Sequence, residues 1–273
     1  MINRSEIPTS VNLGKNNSVT YGEINRRLSS TEHGQKLARK TRYKIYNLLE
    51  IPSEKWVKDL GVDTNNLKHM PLTYGLGRVF IKYSKEGEYS LADQENLLLA
   101  CGTHDIAEAI TEDITFNAKT KIDEEIEIGL LHQMTTDIFS DVPGLKDRLS
   151  IVIETIIKDS NSRLGKPFNA IERLGYLRTG LRAFEISPTK KGKQKTGLKW
   201  LTTDVLLNQI PPLIEYSKIY PPVSLYLESQ KDSISKAFET LPKSVFKYYP
   251  KEDRIKRKQM YQSAKETWQN FVS

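Results

Sequence analysis

The sequence predicts an all-α protein on three observations. Apolar residues recur at three- and four-residue spacings in several segments, which is the pattern of helices with one side facing a core. Residues that cap helix N-termini, such as Ser90, precede these segments. Pro71 fits the first turn of a helix, where its missing N–H costs nothing. We expect helices packed together with no substantial sheet, and the clearest apolar pattern comprises Leu72, Leu76, Val79, Phe80 and Tyr83.

Residues 1–60 are expected to form a polar segment followed by basic helices. The first 30 residues are rich in Asn, Ser and Gly and bury little, with one short helix over 21–28. A longer helix is predicted from Thr31 to about residue 49, and a short one around Trp56. For the basic side of the longer helix, a solvated surface is favoured over phosphate binding. Its members are Lys36, Arg39, Lys40, Arg42 and Lys44.

Residues 61–186 are expected to form the central core. One helix begins near His69, and a second runs from Leu91 through the apolar residues 97–100 towards His104. Residues 116–121 are predicted to be a loop, and further helices are predicted over 123–134 and through 149–157.

The last third of the chain divides into a loop and a helical extension. Residues 187–199 hold five lysines and two glycines and predict a flexible, basic surface loop. Residues 200–273 predict a C-terminal helical extension packed on the core. Its basic end, 243–273, carries interleaved aromatic residues that are expected to dock on the core, with stacking on single-stranded nucleic acid as the alternative.

Composition limits the setting and the partners. With 273 residues, 38% of them hydrophobic, the chain can bury one sizeable core. The net charge of +7 suits anionic ligands such as nucleotides or nucleic acid, and equally a solvated basic surface. Cys101 is the single cysteine, so an internal disulfide is excluded. No apolar run approaches the roughly 18 to 20 residues of a membrane span, and the first ten residues lack the apolar core of a signal peptide. We expect a cytoplasmic protein without a membrane partner.

The most informative stretch for chemistry is 101–114, CGTHDIAEAITEDI. His104 and Asp105 adjoin at the end of an apolar run, with Glu108 and Asp113 three and eight residues after Asp105. Divalent first-row metals accept an imidazole nitrogen and a carboxylate oxygen together. An isolated His-Asp pair is commonly ordinary surface or cap chemistry, so the residues around it carry the interpretation.

Eleven residues of this stretch, 104–114 (HDIAEAITEDI), resemble the central motif of the HD-domain metal-dependent phosphohydrolases, closest to the 5'-deoxynucleotidase-like branch. The resemblance implies an HD-domain helical bundle with N- and C-terminal helical additions, and it assigns the HD-domain core to residues 61–186. The family has a further His upstream, for which His69 has a suitable separation of 35 residues, and an Asp downstream. Residues 169–177, NAIERLGYL, resemble that downstream segment but carry Glu172 in place of the Asp.

The resemblance implies that His69, His104, Asp105 and Glu172 hold a divalent metal, which could be Mn, Co, Mg, Zn or Fe. Because the glutamate is one methylene longer, it either reaches the ion or leaves the site one ligand short. Glu108 would orient or deprotonate a bound water, and Asp113 would assist or bind a sugar hydroxyl.

The remaining site residues are candidates for holding phosphate. Arg178 is one, since a guanidinium fork suits phosphate. Lys55 and Lys58 are candidates for the family's upstream phosphate ligand, and Lys68 stands where the family commonly has an acidic residue. His132 is either a core histidine or an additional histidine close to the metal.

The resulting hypothesis is a metal-dependent phosphohydrolase that acts on a nucleotide or a related small phosphorylated metabolite. A phosphodiesterase on a cyclic or oligonucleotide is one alternative, and an HD-like nucleotide- or nucleic-acid-binding protein that lost catalysis through Glu172 is another. The sequence contains no phosphate-cradling Gly-rich loop, His-Glu-x-x-His motif or nucleophile elbow. Expected partners are the phosphorylated substrate, nucleic acid at the basic surface, and further copies of the chain in a homo-oligomer.

Overall fold

The protein is all-α, as its sequence predicts, with one short β-hairpin near the N-terminus. The computed structural model describes residues 7–14, 17–61, 64–111 and 120–273. Over these residues it forms twelve α-helices and two strands. The elements are β1 Ser10–Gly14, β2 Asn17–Thr20, α1 Tyr21–Ser30, α2 Glu32–Arg39, α3 Ser53–Leu60, α4 Asn66–Tyr83, α5 Leu91–Thr103, α6 Lys121–Ile138, α7 Leu145–Val152, α8 Gly165–Ile186, α9 Gly192–Ser217, α10 Pro221–Ser229, α11 Lys231–Thr240 and α12 Arg254–Val272.

The described chain separates into two compact units. The first comprises Asn65–Ile171 together with the described residues before Tyr43, and the second comprises Glu172–Ser273 together with the described residues from Tyr43 to Thr64. This partition differs from the consecutive division predicted from the sequence, because 43–64 joins the C-terminal half. The boundary at 171/172 passes through α8, whose helical backbone runs unbroken from Gly165 to Ile186.

The described residues 10–14 and 17–30 form regular secondary structure although their composition is polar. Strands β1 and β2 pair in antiparallel fashion, with Val11 opposite Val19 and both side chains buried. The left-handed backbone of Gly14, with φ of 80°, ends β1. Thr20 then caps α1, which covers the short helix predicted at 21–28.

The long helix predicted from Thr31 is wrong beyond Arg39, where α2 ends. Thr41 instead forms an isolated β-bridge with Asn65, and the backbone turns at Tyr43, whose φ is 64°. The predicted basic side is therefore not a single solvated helix surface. Arg42 is only 2% exposed, so this cation must be compensated inside the protein.

Helix α4 packs on α5 through a side that the apolar pattern only partly predicts. Met70, Phe80 and Ile81 are buried, whereas Val79 and Tyr83, which were predicted to face the core, are 52% and 45% exposed. The helices approach closely at Gly77, where an added Cβ would lie 3.0 Å from Cys101 Sγ. This packing turns His69 and Thr73 inward.

Helix α5 begins and ends as the sequence predicts. Ser90 and Asp93 form a reciprocal capping box at its N-terminus. Leu97, Leu98, Leu99, Ala100 and Cys101 are fully buried and lead to its last residue, Thr103. His104 follows directly and is therefore held against the interior of the first unit.

In the second unit the predicted flexible loop over 187–199 is wrong from residue 192 onward. Helix α9 begins at Gly192, and only Ser187–Thr189 forms a separate short turn. An added Cβ at Gly197 would lie 2.0 Å from the Tyr46 carbonyl oxygen, and Leu198 is buried, so the lysine-rich segment is fixed by packing. Helix α12 packs on α9 and buries Trp268. None of the described helices combines the length and apolar character needed to cross a membrane.

Candidate metal centre

His69 lies in the first turns of α4, pointing into the first unit. The Asn65 side chain caps this helix by accepting a hydrogen bond from Lys68 N. His69 is 6% exposed, and its Nε2 lies 3.2 Å from Thr73 Oγ1, one turn further along. The cap and the hydroxyl together fix where this imidazole sits.

His104 is oriented by the end of α5. Its Nδ1 lies 3.2 Å from the Cys101 carbonyl oxygen, and since a carbonyl can only accept, Nδ1 carries the hydrogen in this bond. The ring packs edge-on against the His69 ring, 5.3 Å between centroids, and against the Phe168 ring at 5.5 Å. An imidazole whose Nδ1–H donates to a backbone carbonyl presents Nε2 as the ligating atom, as metal-binding histidines commonly do.

Asp105 interrupts the helical path and carries the central carboxylate. Its backbone, at φ −94° and ψ 11°, leaves the α-helical region and starts the short turn Ile106–Ala109. Arg42 Nη1 donates to Asp105 Oδ2. Desolvation by burial raises the pKa of this carboxyl, but its interactions with His104 and with the Arg42 guanidinium outweigh burial and hold the pKa well below its usual range. Asp105 is therefore ionised at neutral pH.

The two histidines face this carboxylate, and the separation from His104 suits ligands of a shared cation, whereas the separation from His69 is longer. His104 Nε2 lies 3.1 Å from Asp105 Oδ1, and His69 Nε2 lies 3.7 Å from Asp105 Oδ2. Nitrogen and oxygen ligands of one zinc-sized ion, each about 2.1 Å from it, lie roughly 3.0 to 3.4 Å from each other. The donor set and the orientation of His104 therefore fit a divalent metal.

Glu172 supplies the second carboxylate of the candidate centre. One ligand atom from each of His69, His104 and Glu172 lies within 4.8 Å of the other two. Helix α8 carries Glu172 four residues after Phe168, whose ring contacts His104. These three side chains could therefore hold a metal ion, with the longer glutamate standing in place of an aspartate.

Glu108, three residues after Asp105, is held by two residues that were not predicted to belong to the site. Asn66, at the start of α4 and fully buried, donates through Nδ2 to Glu108 Oε2. Lys40 Nζ donates to the backbone carbonyls of Glu108, at 2.7 Å, and of Thr111. These contacts fix the turn after Asp105. Asp113, the other predicted catalytic carboxylate, lies outside the described residues.

The predicted phosphate ligands lie in the second unit and are exposed. Lys55 and Lys58 are on α3 and Arg178 is on α8. Their role in substrate binding stays a prediction. His132, on α6, is neither a core histidine nor part of the cluster around Asp105: its Nε2 pairs with Glu154 Oε1 at 2.8 Å, and its side chain is 31% exposed.

Sequence reasoning missed Arg42, Asn66 and Thr73, which orient or neutralise the site. Arg42 was assigned to a solvated basic surface, because Asp105, which it contacts, is 63 residues away in the sequence. Thr73 had a local signal, since it lies one helical turn after His69. Asn66 and Arg42 had none, because their contacts depend on how α4 and the segment after α2 pack.

Comparisons with protein families, curated proteins and solved structures found no match to this chain.

Proposed function

We propose that the protein is a metal-dependent phosphohydrolase acting on a nucleotide or a related small phosphorylated metabolite. The observation that carries the proposal is the convergence of two oriented imidazoles, His69 and His104, on the buried, ionised carboxylate of Asp105. The resemblance of residues 104–114 to the HD-domain motif supports phosphoester chemistry. The net charge of +7 supports an anionic substrate.

His69, His104, Asp105 and Glu172 would hold the metal. When bound, a divalent cation lowers the pKa of a coordinated water and polarises the phosphoryl oxygens. The protein's own contribution is orientation. The Cys101 carbonyl fixes the tautomer of His104, and the Arg42 guanidinium keeps Asp105 ionised despite its burial. A carboxylate that is already ionised and restrained needs no reorganisation to act as a ligand.

Glu108 is the proposed general base. Its carboxylate is positioned by the Asn66 amide, which donates a hydrogen bond to Oε2. A positioned carboxylate can accept the proton that a water loses as its oxygen attacks phosphorus. The bond between phosphorus and the ester oxygen of the monoester would break, and that oxygen would take up a proton from the solvent, so that an alcohol leaves and phosphate forms.

The test combines metal content with phosphate release. Protein purified without chelator should contain metal in stoichiometric amount. It should release phosphate from one or more nucleoside monophosphates when Mn²⁺, Co²⁺, Mg²⁺ or Zn²⁺ is added. We expect His104→Ala and Asp105→Ala to lose the metal and at least about a thousandfold in kcat/KM, since an ordered metal site contributes several kcal/mol to the barrier.

His132→Ala is the matched control, because it removes a histidine that pairs with Glu154 away from the centre. It should keep both metal and activity. Including a phosphodiester in the panel separates monoesterase from diesterase activity. A protein that binds no metal and releases no phosphate with any ion or substrate would contradict the proposal.

Glu172→Asp tests whether catalysis was lost with the longer carboxylate. Unchanged or improved turnover in this variant supports the phosphohydrolase. Metal-free, inactive protein in both forms that still binds a nucleoside monophosphate in calorimetry would identify a binding protein instead.

A further inference from the structure

Helix α4 carries an apolar side that the described chain leaves uncovered. Val79 and Tyr83 are 52% and 45% exposed. Leu72 and Leu76 are half-buried, and Gly75 is exposed. Their positions at three- and four-residue intervals align them along one side of the helix. We call these five residues the α4 face; it lies beside the buried side that carries His69.

Helix α6 carries a second uncovered apolar side. Ile122 is 68% exposed and Ile126 is 52% exposed. Gly129 continues the same side three residues later and is also exposed. We call Ile122, Ile126 and Gly129 the α6 face. Both faces belong to the first unit.

Each face contains a helical glycine that packing among the described residues does not explain. A Cβ built on Gly75 or on Gly129 meets no atom within 4 Å. Glycine inside a helix costs roughly 0.5 to 1 kcal/mol relative to alanine. By contrast, Gly77 of the same helix has a close neighbour in Cys101. A glycine on an exposed apolar side is explained if another helix approaches there, because the distance between packed helices depends on the side chains at the contact.

The two faces have opposite charge. Helix α4 contains no acidic residue, and Lys68 and Lys82 lie on the Gly75 side of its face. Helix α6 contains five acidic residues and one lysine, and Glu125 lies on the Gly129 side of its face. Packing α4 on α4 would bring lysines together, and packing α6 on α6 would bring carboxylates together. Only the α4–α6 pairing joins complementary charge as well as apolar surface.

We propose that the chain self-associates by packing the α4 face of one copy against the α6 face of a second copy. The contact places Val79 and Tyr83 against Ile122 and Ile126, with the two glycines allowing the helices to approach. It orders Lys82 and Glu125 on its rim. Since α4 also carries His69, association restrains the helix that holds a proposed metal ligand.

Sedimentation velocity over a concentration series tests the proposal directly. The wild type should pass from monomer to a larger species as its concentration rises through the micromolar range. Val79→Asp and Ile126→Asp should each raise the dissociation constant about tenfold or more, which corresponds to about 1.4 kcal/mol or more. Both residues are exposed, so neither change disturbs the monomer's core. Ile255→Asp, at an isoleucine that is 71% exposed on α12, is the matched control and should leave association unchanged.

Charge reversal tests which faces meet. Lys82→Glu and Glu125→Lys should each weaken association, and the double variant should restore it, because the reversed charges are again complementary. Raised salt should weaken association of the wild type. If the loss of association in the double variant equals the sum of the losses in the two single variants, the α4–α6 pairing is overturned.

Gly75→Ala separates association from stability. It should raise the thermal stability of the monomer, since alanine favours the helix and meets open space, yet it should weaken association. A wild type that sediments as a monomer at all concentrations up to several hundred micromolar would overturn the proposal, whatever the outcome of the activity assay.

Discussion

Two buried aspartates with very different neighbours distinguish the two units. Asp105, in the first, faces the imidazoles of His69 and His104 and the guanidinium of Arg42. Asp204, on α9 of the second, is 8% exposed and accepts hydrogen bonds from the hydroxyls of Tyr46 and Tyr249, the latter at 2.9 Å. Each carboxylate is thus compensated, but by different chemistry.

The difference lies in what the partners can do besides donating a hydrogen bond. Desolvation by burial, followed by the charge of Asp204, raises the pKa values of Tyr46 and Tyr249 well above the usual value for a phenol. These hydroxyls stay protonated and serve only as donors to the carboxylate. Imidazoles can instead offer a lone pair to a metal, and the Asp105 neighbourhood contains two of them. We therefore interpret Asp204 as a structural centre and Asp105 as part of the candidate metal centre.

The largest expected effect is the loss of stability when the structural centre at Asp204 is removed. Asp204→Ala should reduce the free energy of unfolding by about 3–5 kcal/mol, because it leaves the buried tyrosine hydroxyls without their acceptor and the nearby Arg257 guanidinium without its counter-charge. Urea denaturation in the presence of chelator measures this. Glu239→Ala, at an exposed position of α11, should change stability by no more than about 0.5 kcal/mol. A loss below about 1 kcal/mol for Asp204→Ala would contradict the structural role.

The next largest effect is stabilisation by a metal, which should depend on the residues around Asp105 and not on Asp204. A divalent metal at 100 times its dissociation constant should stabilise the wild type by about 2.7 kcal/mol and raise Tm by roughly 5 to 10 °C. His104→Ala should lose this response, whereas Asp204→Asn should keep it although its starting Tm is lower. Differential scanning fluorimetry with and without Mn²⁺ or Zn²⁺ measures this rise in Tm for each variant. An undiminished response in His104→Ala would mean that the metal binds elsewhere.

A smaller effect tests the donors around Asp204. Tyr249→Phe keeps the ring packed between Trp200 and Phe246 and removes only the hydroxyl. Because hydrogen bonds to a charged acceptor contribute about 1.5–3 kcal/mol, the free energy of unfolding should fall by that amount. Tyr248→Phe, at the neighbouring ring that stacks on Trp200, provides the control and should cost less. Equal losses in the two variants would show that the hydroxyl bond to Asp204 contributes little.

The centre at Asp105 could be predicted from residues that are neighbours in the sequence, whereas the centre at Asp204 could not. His104 and Asp105 are adjacent, and the apolar residues 97–100 before them mark a buried helix end. The predicted cap at Ser90 is also local, and it forms a reciprocal capping box with Asp93. By contrast, Asp204 receives its hydrogen bonds from residues 158 and 45 positions away, and no sequence pattern reports contacts of that span.

The errors in the predicted fold have a physical reason as well. The spacing of Leu72, Leu76, Val79 and Tyr83 correctly predicts a helix, but periodicity alone does not decide which of two apolar sides faces the core. Helix α4 buries the side that contains Gly77 and Phe80, where the missing side chain of Gly77 leaves room for Cys101 and Leu98 of α5. In the same way, lysines and glycines predicted a loop at 187–199, while the packing of Gly197 against the Tyr46 carbonyl favours helix α9.

The smallest effect concerns an exposed counterpart of the His–Asp cluster, the pair formed by His132 and Glu154. Lys158, and next His132, lower the pKa of Glu154. A carboxyl whose pKa is lowered on folding stabilises the protein above its unfolded-state pKa, about 4.3, and this contribution is lost as pH falls through the folded-state value. Because the pair is exposed and screened, Glu154→Gln should cost no more than about 1 kcal/mol at pH 7. Urea denaturation as a function of pH should show the two proteins converging below about pH 4, and at pH 7 in high salt. A larger loss of unfolding free energy at pH 7 that salt does not reduce would contradict the view that exposure makes this histidine–carboxylate pair weaker than the buried one.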